Sequence, residues 1–277
     1  QEVNNINTDP KVVWVIGASS GLGLATAQAF YRAGYHVIAG ARSFEEDRQD
    51  SHFTKLHLDV CDEASCTQFQ EKALALAPHV DTFVYCAGIL MFGPCELLRS
   101  EEYTHVIRTN FISLTRMVSQ VLPTMRVQKQ GKIILFSSIN GLVATPFQSP
   151  YVASKHAIEG YAKCLGMELK EHGVQVAVVR PGDHKSGSLA YRKCCAADVE
   201  GSVYAAHCSK ATNKVLHDEA HGSNPLHLGR LVVRLAEKRR MPGAKVIANP
   251  IEKLAVVLNR LLPNRLFHWI LKKYYLG

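Results

Sequence analysis

Ser138, Tyr151 and Lys155 are the residues whose types and spacing offer chemistry most directly. They lie in one run, FSSINGLVATPFQSPYVASK, from Phe136 to Lys155. From Pro150 onward, small, apolar and charged residues recur with helical period, so Tyr151 and Lys155 stand at i and i+4 on one helix face. A free phenol holds its proton to a pKa of about 10. A fixed ammonium nearby favours the phenolate, and a neighbouring serine hydroxyl can bond a substrate oxygen. Together they form a device for moving one proton onto or off an alcohol or carbonyl oxygen near neutral pH. Tyr and Lys four apart are also a common structural pair, a packed ring beside a solvated amine. The assignment therefore depends on the elements around them.

Lys11–Gly17 (KVVWVIG) reads as a buried strand that runs straight into GASSGLG. The turn holds Gly17, Ser19, Ser20, Gly21, Leu22 and Gly23, and an amphipathic helix follows. Strand, glycine turn and helix suit a pyrophosphate, because the backbone can approach closely and the helix N-terminus offers free N–H groups. The spacing is G-x3-G-x-G rather than G-x-G-x-x-G. Further strands are expected at 35–41, 53–60, 80–88, 131–138, 174–182 and 244–248. A long helix is expected over about 101–128, including Asn110, and another from Pro150. Alternating strands and helices predict a single α/β Rossmann-fold domain: a doubly wound parallel sheet of about seven strands with helices on both faces. The glycine turn, Asp59-Val60, Ala87-Gly88, Ser138 and Pro181-Gly182 all fall at strand carboxyl ends, where such folds bind ligands.

The second strand ends in Ala41-Arg42, with no acid before Glu45. An acid there binds a ribose 2′-hydroxyl and an Arg accommodates a 2′-phosphate, so NADP(H) is expected over NAD(H), which stands as the alternative.

With these residues in this order, the chain resembles the short-chain dehydrogenase/reductase family over roughly 11–186, and more loosely over 225–250. The pattern is closest to its 17β-hydroxysteroid and retinol dehydrogenase-like branch. The resemblance implies that Tyr151 is the general acid/base, that Ser138 orients the substrate oxygen, and that Lys155 lowers the tyrosine pKa and binds the nicotinamide ribose. It implies that Asn110 holds a water linking that lysine to solvent, that Asp59 contacts the adenine, and that Ser186 bonds the nicotinamide carboxamide. Ser19, Ser20 and Arg42 become candidates for the 2′-phosphate. Two positions depart from the family pattern: Ile16 where Thr is usual, and Cys86 where Asn is usual. Both usual residues brace strands and loops by hydrogen bonds, so the departures bear on local rigidity rather than on proton transfer.

The rest of the chain bounds the reading. The 277 residues, 47% hydrophobic and 20% charged, have the makeup of a globular domain with a full core. Residues 1–10 read as a loose polar tail, and no apolar run is long enough to span a bilayer. The eight cysteines show no Cys-x-x-Cys pairing and no metal-ligand spacing with histidine, which suits a reducing, cytoplasmic setting. The net charge of +8 is concentrated: eleven Lys/Arg and two acids follow position 229, against 21 bases and 22 acids before it. That asymmetry fits an acidic partner such as anionic lipid, not a nucleic-acid-binding domain.

Residues 183–224 are expected to form a polar, mobile segment over the substrate, with Tyr191 and Tyr204 as candidates to line a pocket. Residues 250–277 are expected as a C-terminal helical extension. In its last helix Phe267, Ile270, Leu271 and Tyr274 share one face and Arg265, His268 and Lys272 the other, suiting either pocket packing or peripheral membrane contact. The function expected is an NADP(H)-dependent interconversion of hydroxyl and carbonyl groups on a hydrophobic small molecule, in a homodimer or homotetramer. The alternatives are an NAD(H)-linked alcohol dehydrogenase and a nucleotide-sensing protein without turnover. The intact Ser138/Tyr151/Lys155/Asn110 set argues against the latter, since a sensor has no use for a proton relay.

Overall fold

A computed structural model describes residues 10–187 and 192–277. The tail expected at 1–10 lies outside them apart from Pro10, as does Tyr191. In chain order the first half contains β1 (Val12–Ile16), α1 (Gly21–Arg32), β2 (His36–Ala41), β3 (Arg48–Asp50), β4 (Phe53–His57), α2 (Glu63–Leu76), β5 (Thr82–Tyr85) and β6 (Leu90–Phe92). There follow α3 (Ser100–Ile107), a π-helical turn (Arg108–Ile112), α4 (Ser113–Gln128), β7 (Gly131–Phe136), α5 (Ser149–Glu168) and β8 (Val174–Pro181). The last third contains β9 (Arg192–Cys194), α6 (Ala205–Ala220), α7 (Pro225–Glu237), β10 (Ala244–Ile247), α8 (Pro250–Leu261) and α9 (Asn264–Leu276).

The main sheet runs β10-β8-β7-β5-β1-β2-β4-β3. Its first seven strands are parallel, as the sequence predicts, and the short β3 adds an antiparallel edge on β4. Chain direction across the sheet reverses at β1, which pairs with β2 on one side and β5 on the other. The turns after β1 and β5 thus flank the crevice where a doubly wound sheet binds its ligand.

β1, VVWVI, is buried along its whole length because helices cover both faces of the sheet. Trp14 and Ile16 pack on one side with Phe69, Phe83, Met117 and Ile158. Val13 and Val15 pack on the other with Phe30, Val37 and Val232. Each such side chain contributes about 1.5–3 kcal/mol when fully buried, so this strand anchors the turn that follows it. On the second face α1 and α7 come so close that a Cβ at Gly229 would lie 2.4 Å from the Ala25 carbonyl oxygen.

Two expectations change. The helix over 101–128 is one rod with a π-turn in its middle, and Asn110 sits in that turn. The segment 183–224 is not a loose lid in its described parts: β9 pairs in parallel with β6, and α6 supplies a four-turn helix. Cys208, Ala211 and Val215 form the buried stripe of α6, a 3–4 spacing hidden within a polar sequence.

Candidate active site

The carboxyl ends of β1, β2, β5, β7 and β8 surround one cleft of about 510 Å³. Of the residues expected at a site, Gly17, Ser19, Ser20, Leu22, Gly23, Arg42, Val60, Ala87, Gly88, Ser138, Tyr151, Lys155, Pro181, Gly182 and Ser186 all line it. Gly21 opens α1 beside them. Asn110 and Asp59 do not line it. Asp59 instead accepts a hydrogen bond from the Cys61 amide at 2.9 Å, and its own amide donates to Ser65 Oγ, so it shapes the loop whose Leu58 and Val60 face the cleft.

The glycine turn is built for close approach. Gly17 has φ +84°, a conformation in which a side chain is strained, and its amide donates to the Gly40 carbonyl at 2.8 Å. A Cβ on Gly23 would sit 2.0 Å from the Gly17 carbonyl oxygen. With these two positions reduced to hydrogen, α1 presents its N-terminus to the cleft through Ser19, Ser20, Leu22 and Gly23. That cradle fits the pyrophosphate of a dinucleotide, whose charge the helix end favours. Arg42 and the neighbouring Ser43 are exposed at the β2 end of the same cleft. At the two departures from the family pattern, rigidity comes from backbone pairing and packing: the Cys86 amide donates to the Ile16 carbonyl at 2.8 Å, and Ile16 is fully buried.

β7 delivers Ser138, whose Oγ accepts from the Asn140 amide at 3.1 Å and reaches the Pro181 carbonyl at 3.5 Å, between the ends of β7 and β8. Pro150 in the first turn of α5 starts the helix that carries Tyr151 and Lys155. Two contacts, through Ser137 and Arg180, hold this helix against the sheet, and one, through Ser154, braces it internally. Ser137 Oγ donates to the Lys155 carbonyl at 3.2 Å. Ser154 Oγ donates to the Tyr151 carbonyl at 2.7 Å. Glu159 and Arg180 form a largely buried two-pronged ion pair at 2.9 and 2.7 Å.

Lys155 is buried, donates from Nζ to the Phe136 carbonyl at 2.9 Å, and stands 5.5 Å from the centre of the Tyr151 ring. Burial pushes its pKa down to about 8, against the opposing pull of Cys86 and Glu159.

Asn110 lies behind the cleft. Its Oδ1 accepts from the Ile89 amide at 2.8 Å, and its Nδ2 donates to the Ile89 carbonyl and to Ser154 Oγ, both at 3.0 Å. The π-turn turns this side chain toward the loop after β5, a placement that an unbroken α-helix would miss. A Cβ on Gly88 would come within 3.3 Å of Asn110 Oδ1 and 3.8 Å of Lys155 Nζ, so the bare Gly88 lies between them.

The far wall contains residues that sequence reasoning missed. Val215, Asp218 and Glu219 of α6 line it, as do Asp183, His184 and Tyr275. Tyr275 follows Phe267 and Leu271 at four-residue intervals, which marks it as part of the inward face of α9. Burial pushes its hydroxyl up to about 12, with the Thr145 hydroxyl pulling the other way. Tyr204, a candidate for this wall, instead bonds Glu96 outside it.

Beneath this wall Glu252 accepts from the Asp183 amide at 2.5 Å and the Asn249 amide at 2.8 Å. Asp183 shares the enclosure, and burial first, then the Glu252 charge, raise its pKa above the ordinary 3.8. A folded-state pKa above the unfolded value means the native protein binds more protons. Stability from this pair is therefore lost as pH rises through the carboxylate range toward neutrality. Asp183→Asn is expected to melt higher than the parent at about pH 8, with the gap closing toward about pH 4. Thermal unfolding across that range checks it, and a gap independent of pH would show that the charge is not the cause.

Comparison with known proteins gives consistent matches. A family model described as short chain dehydrogenase matches residues 11–193. The 3-ketodihydrosphingosine reductase of Bacteroides thetaiotaomicron is 29% identical over 266 residues, 96% of this chain and 98% of that protein. The uncharacterized oxidoreductase YusZ of Bacillus subtilis is 31% identical over 275 residues, 95% of this chain and 98% of that protein. A short-chain dehydrogenase from Streptomyces avermitilis superimposes with a TM-score of 0.80 at 23% identity, covering 96% of each chain, a likeness of fold.

Proposed function

The chain belongs to the short-chain dehydrogenase family, and on that premise we propose that it is an NADP(H)-dependent reductase of a ketone or aldehyde on a largely hydrophobic substrate. The observation that carries this reading is that Ser138, Tyr151 and Lys155 share one cleft with the glycine turn and Arg42. A reduced nicotinamide held there would supply hydride to a carbonyl carbon. Tyr151 gives its phenolic proton to the carbonyl oxygen, and Ser138 Oγ donates a hydrogen bond to the same oxygen. Lys155, while charged, stabilises the phenolate left on Tyr151. Asn110 acts through structure, pinning the Ile89 loop and Ser154 around the lysine. The relative named for reducing a 3-keto compound supports reduction as the direction. We also expect two copies to pair through α4 and α5, where Val127 and Met167 are exposed.

A fluorescence titration with NADPH and NADH tests the cofactor assignment. NADPH should bind at least about tenfold tighter, a difference of about 1.4 kcal/mol. Arg42→Asp should erase or reverse that preference, because a carboxylate repels the 2′-phosphate and accepts from a 2′-hydroxyl. An unchanged preference would remove Arg42 from the argument, and tighter NADH binding by the parent would overturn the NADP(H) reading.

A further inference from the structure

We propose that the outer face of α8, together with the outward edge of α9, docks on an anionic lipid bilayer. The face expected from sequence for such contact, with Phe267 and Leu271, is used for packing: Phe267 is 2% exposed and sits with Val143 and Val256, and Leu271 packs against that cluster. A different apolar surface faces outward. On α8, Ile251, Leu254 and Leu261 are 71%, 55% and 73% exposed, and Val257 is 49% exposed. Their spacing keeps them on one side of the helix, opposite the buried Glu252 and Val256. Leu266 and Trp269 of α9 are 45% and 57% exposed, on the side of that helix away from Phe267 and Leu271.

Charge identifies the occupant. Lys253 and Arg260 are exposed along the Val257 edge of the α8 stripe, and Arg265, Lys272 and Lys273 are exposed on α9. The segment from Arg230 holds eleven bases and two acids, and Glu252 is buried. An apolar helix face bordered by Lys and Arg, with a tryptophan at its edge, matches a leaflet of acyl chains under anionic headgroups. An apolar protein partner would satisfy the leucines and leave the bases without counter-charge. No helix among the described residues is long and apolar enough to cross a membrane, so the contact is peripheral. The inner face of α9 carries Tyr275 into the cleft wall, so docking would set the substrate side of the cleft beside the bilayer.

Co-sedimentation of the full chain with phosphatidylcholine vesicles, with and without phosphatidylserine, tests this without turnover. Its result is therefore independent of the catalytic reading. Leu254→Glu and Leu261→Glu change exposed side chains outside the cleft, and unchanged circular dichroism and NADPH binding serve as their folding controls. The parent should sediment with serine-containing vesicles and release at high salt, and the double variant should bind about tenfold or more weakly. Absence of binding by the parent overturns the proposal, as does binding that the variant retains or that needs no anionic lipid. If instead the parent self-associates through this face and the variant does not, the surface is a subunit contact and the proposal fails.

Discussion

Tyr151→Phe is expected to lower turnover by about a hundred- to ten-thousand-fold, the usual contribution of a positioned acid or base, while NADPH binding stays close to that of the parent. The ring that stands near Lys155 is retained, so its packing survives while the hydroxyl that carries the transferable proton is lost. The substrate oxygen then keeps the Ser138 hydrogen bond but has no donor matched to the charge that develops on it. Steady-state rates with a ketone, alongside a binding titration with NADPH, separate the two effects. Near-normal turnover in the variant would mean that another group supplies the proton. A parallel loss of cofactor binding would mean that the hydroxyl serves binding rather than chemistry.

Gly23→Ala is expected to be as damaging by a different route. The added methyl meets the Gly17 carbonyl oxygen at 2.0 Å and the Cys86 Cβ at 3.3 Å, and the first of these is backbone that cannot rotate away. Overpacking of this kind costs about 1–3 kcal/mol, and relief requires the turn to open where the pyrophosphate is held. NADPH affinity should fall by about a hundredfold or more, equivalent to about 2.7 kcal/mol, with a lower melting temperature. Gly160→Ala is the matched control, since the same methyl on α5 meets nothing within 4 Å. Gly160→Ala should stabilise the helix by about 0.5–1 kcal/mol and leave binding unchanged. Equal affinity in Gly23→Ala and the parent would show that the turn relaxes without cost to the ligand.

What could be read from the sequence divides along the range of the interactions involved. Parallel strands buried on both faces advertise themselves, as in VVWVI, and glycine turns announce strand ends, so the sheet and the half of the cleft beside it were legible. The π-turn was not, because its residues RTNFI continue the helical pattern on either side, and the contacts of Asn110 with Ile89 and Ser154 that accompany it are long-range. α6 was missed because its buried stripe consists of small residues and one valine within a polar segment. The short β3, β6 and β9 have three residues each, too few for periodicity to register. Tyr275 carried a helical signal, but its destination depended on how α9 docks, which no local pattern encodes.

The cleft is assembled from two stretches of chain with different freedoms. The wall proposed for the cofactor comes from strand ends locked in the sheet and from the N-terminal halves of α1 and α5, where the neighbours of Gly17, Gly23 and Lys155 leave little room for change. Its far wall comes from α6 and from Tyr275 of α9, elements outside the main sheet and linked to each other by Tyr274 and Asp218. On the proposed reading, replacing residues of the second stretch is expected to change which substrate fits while leaving Ser138, Tyr151 and Lys155 in place. A library confined to α6 and α9 is therefore the place to test whether this wall selects the substrate.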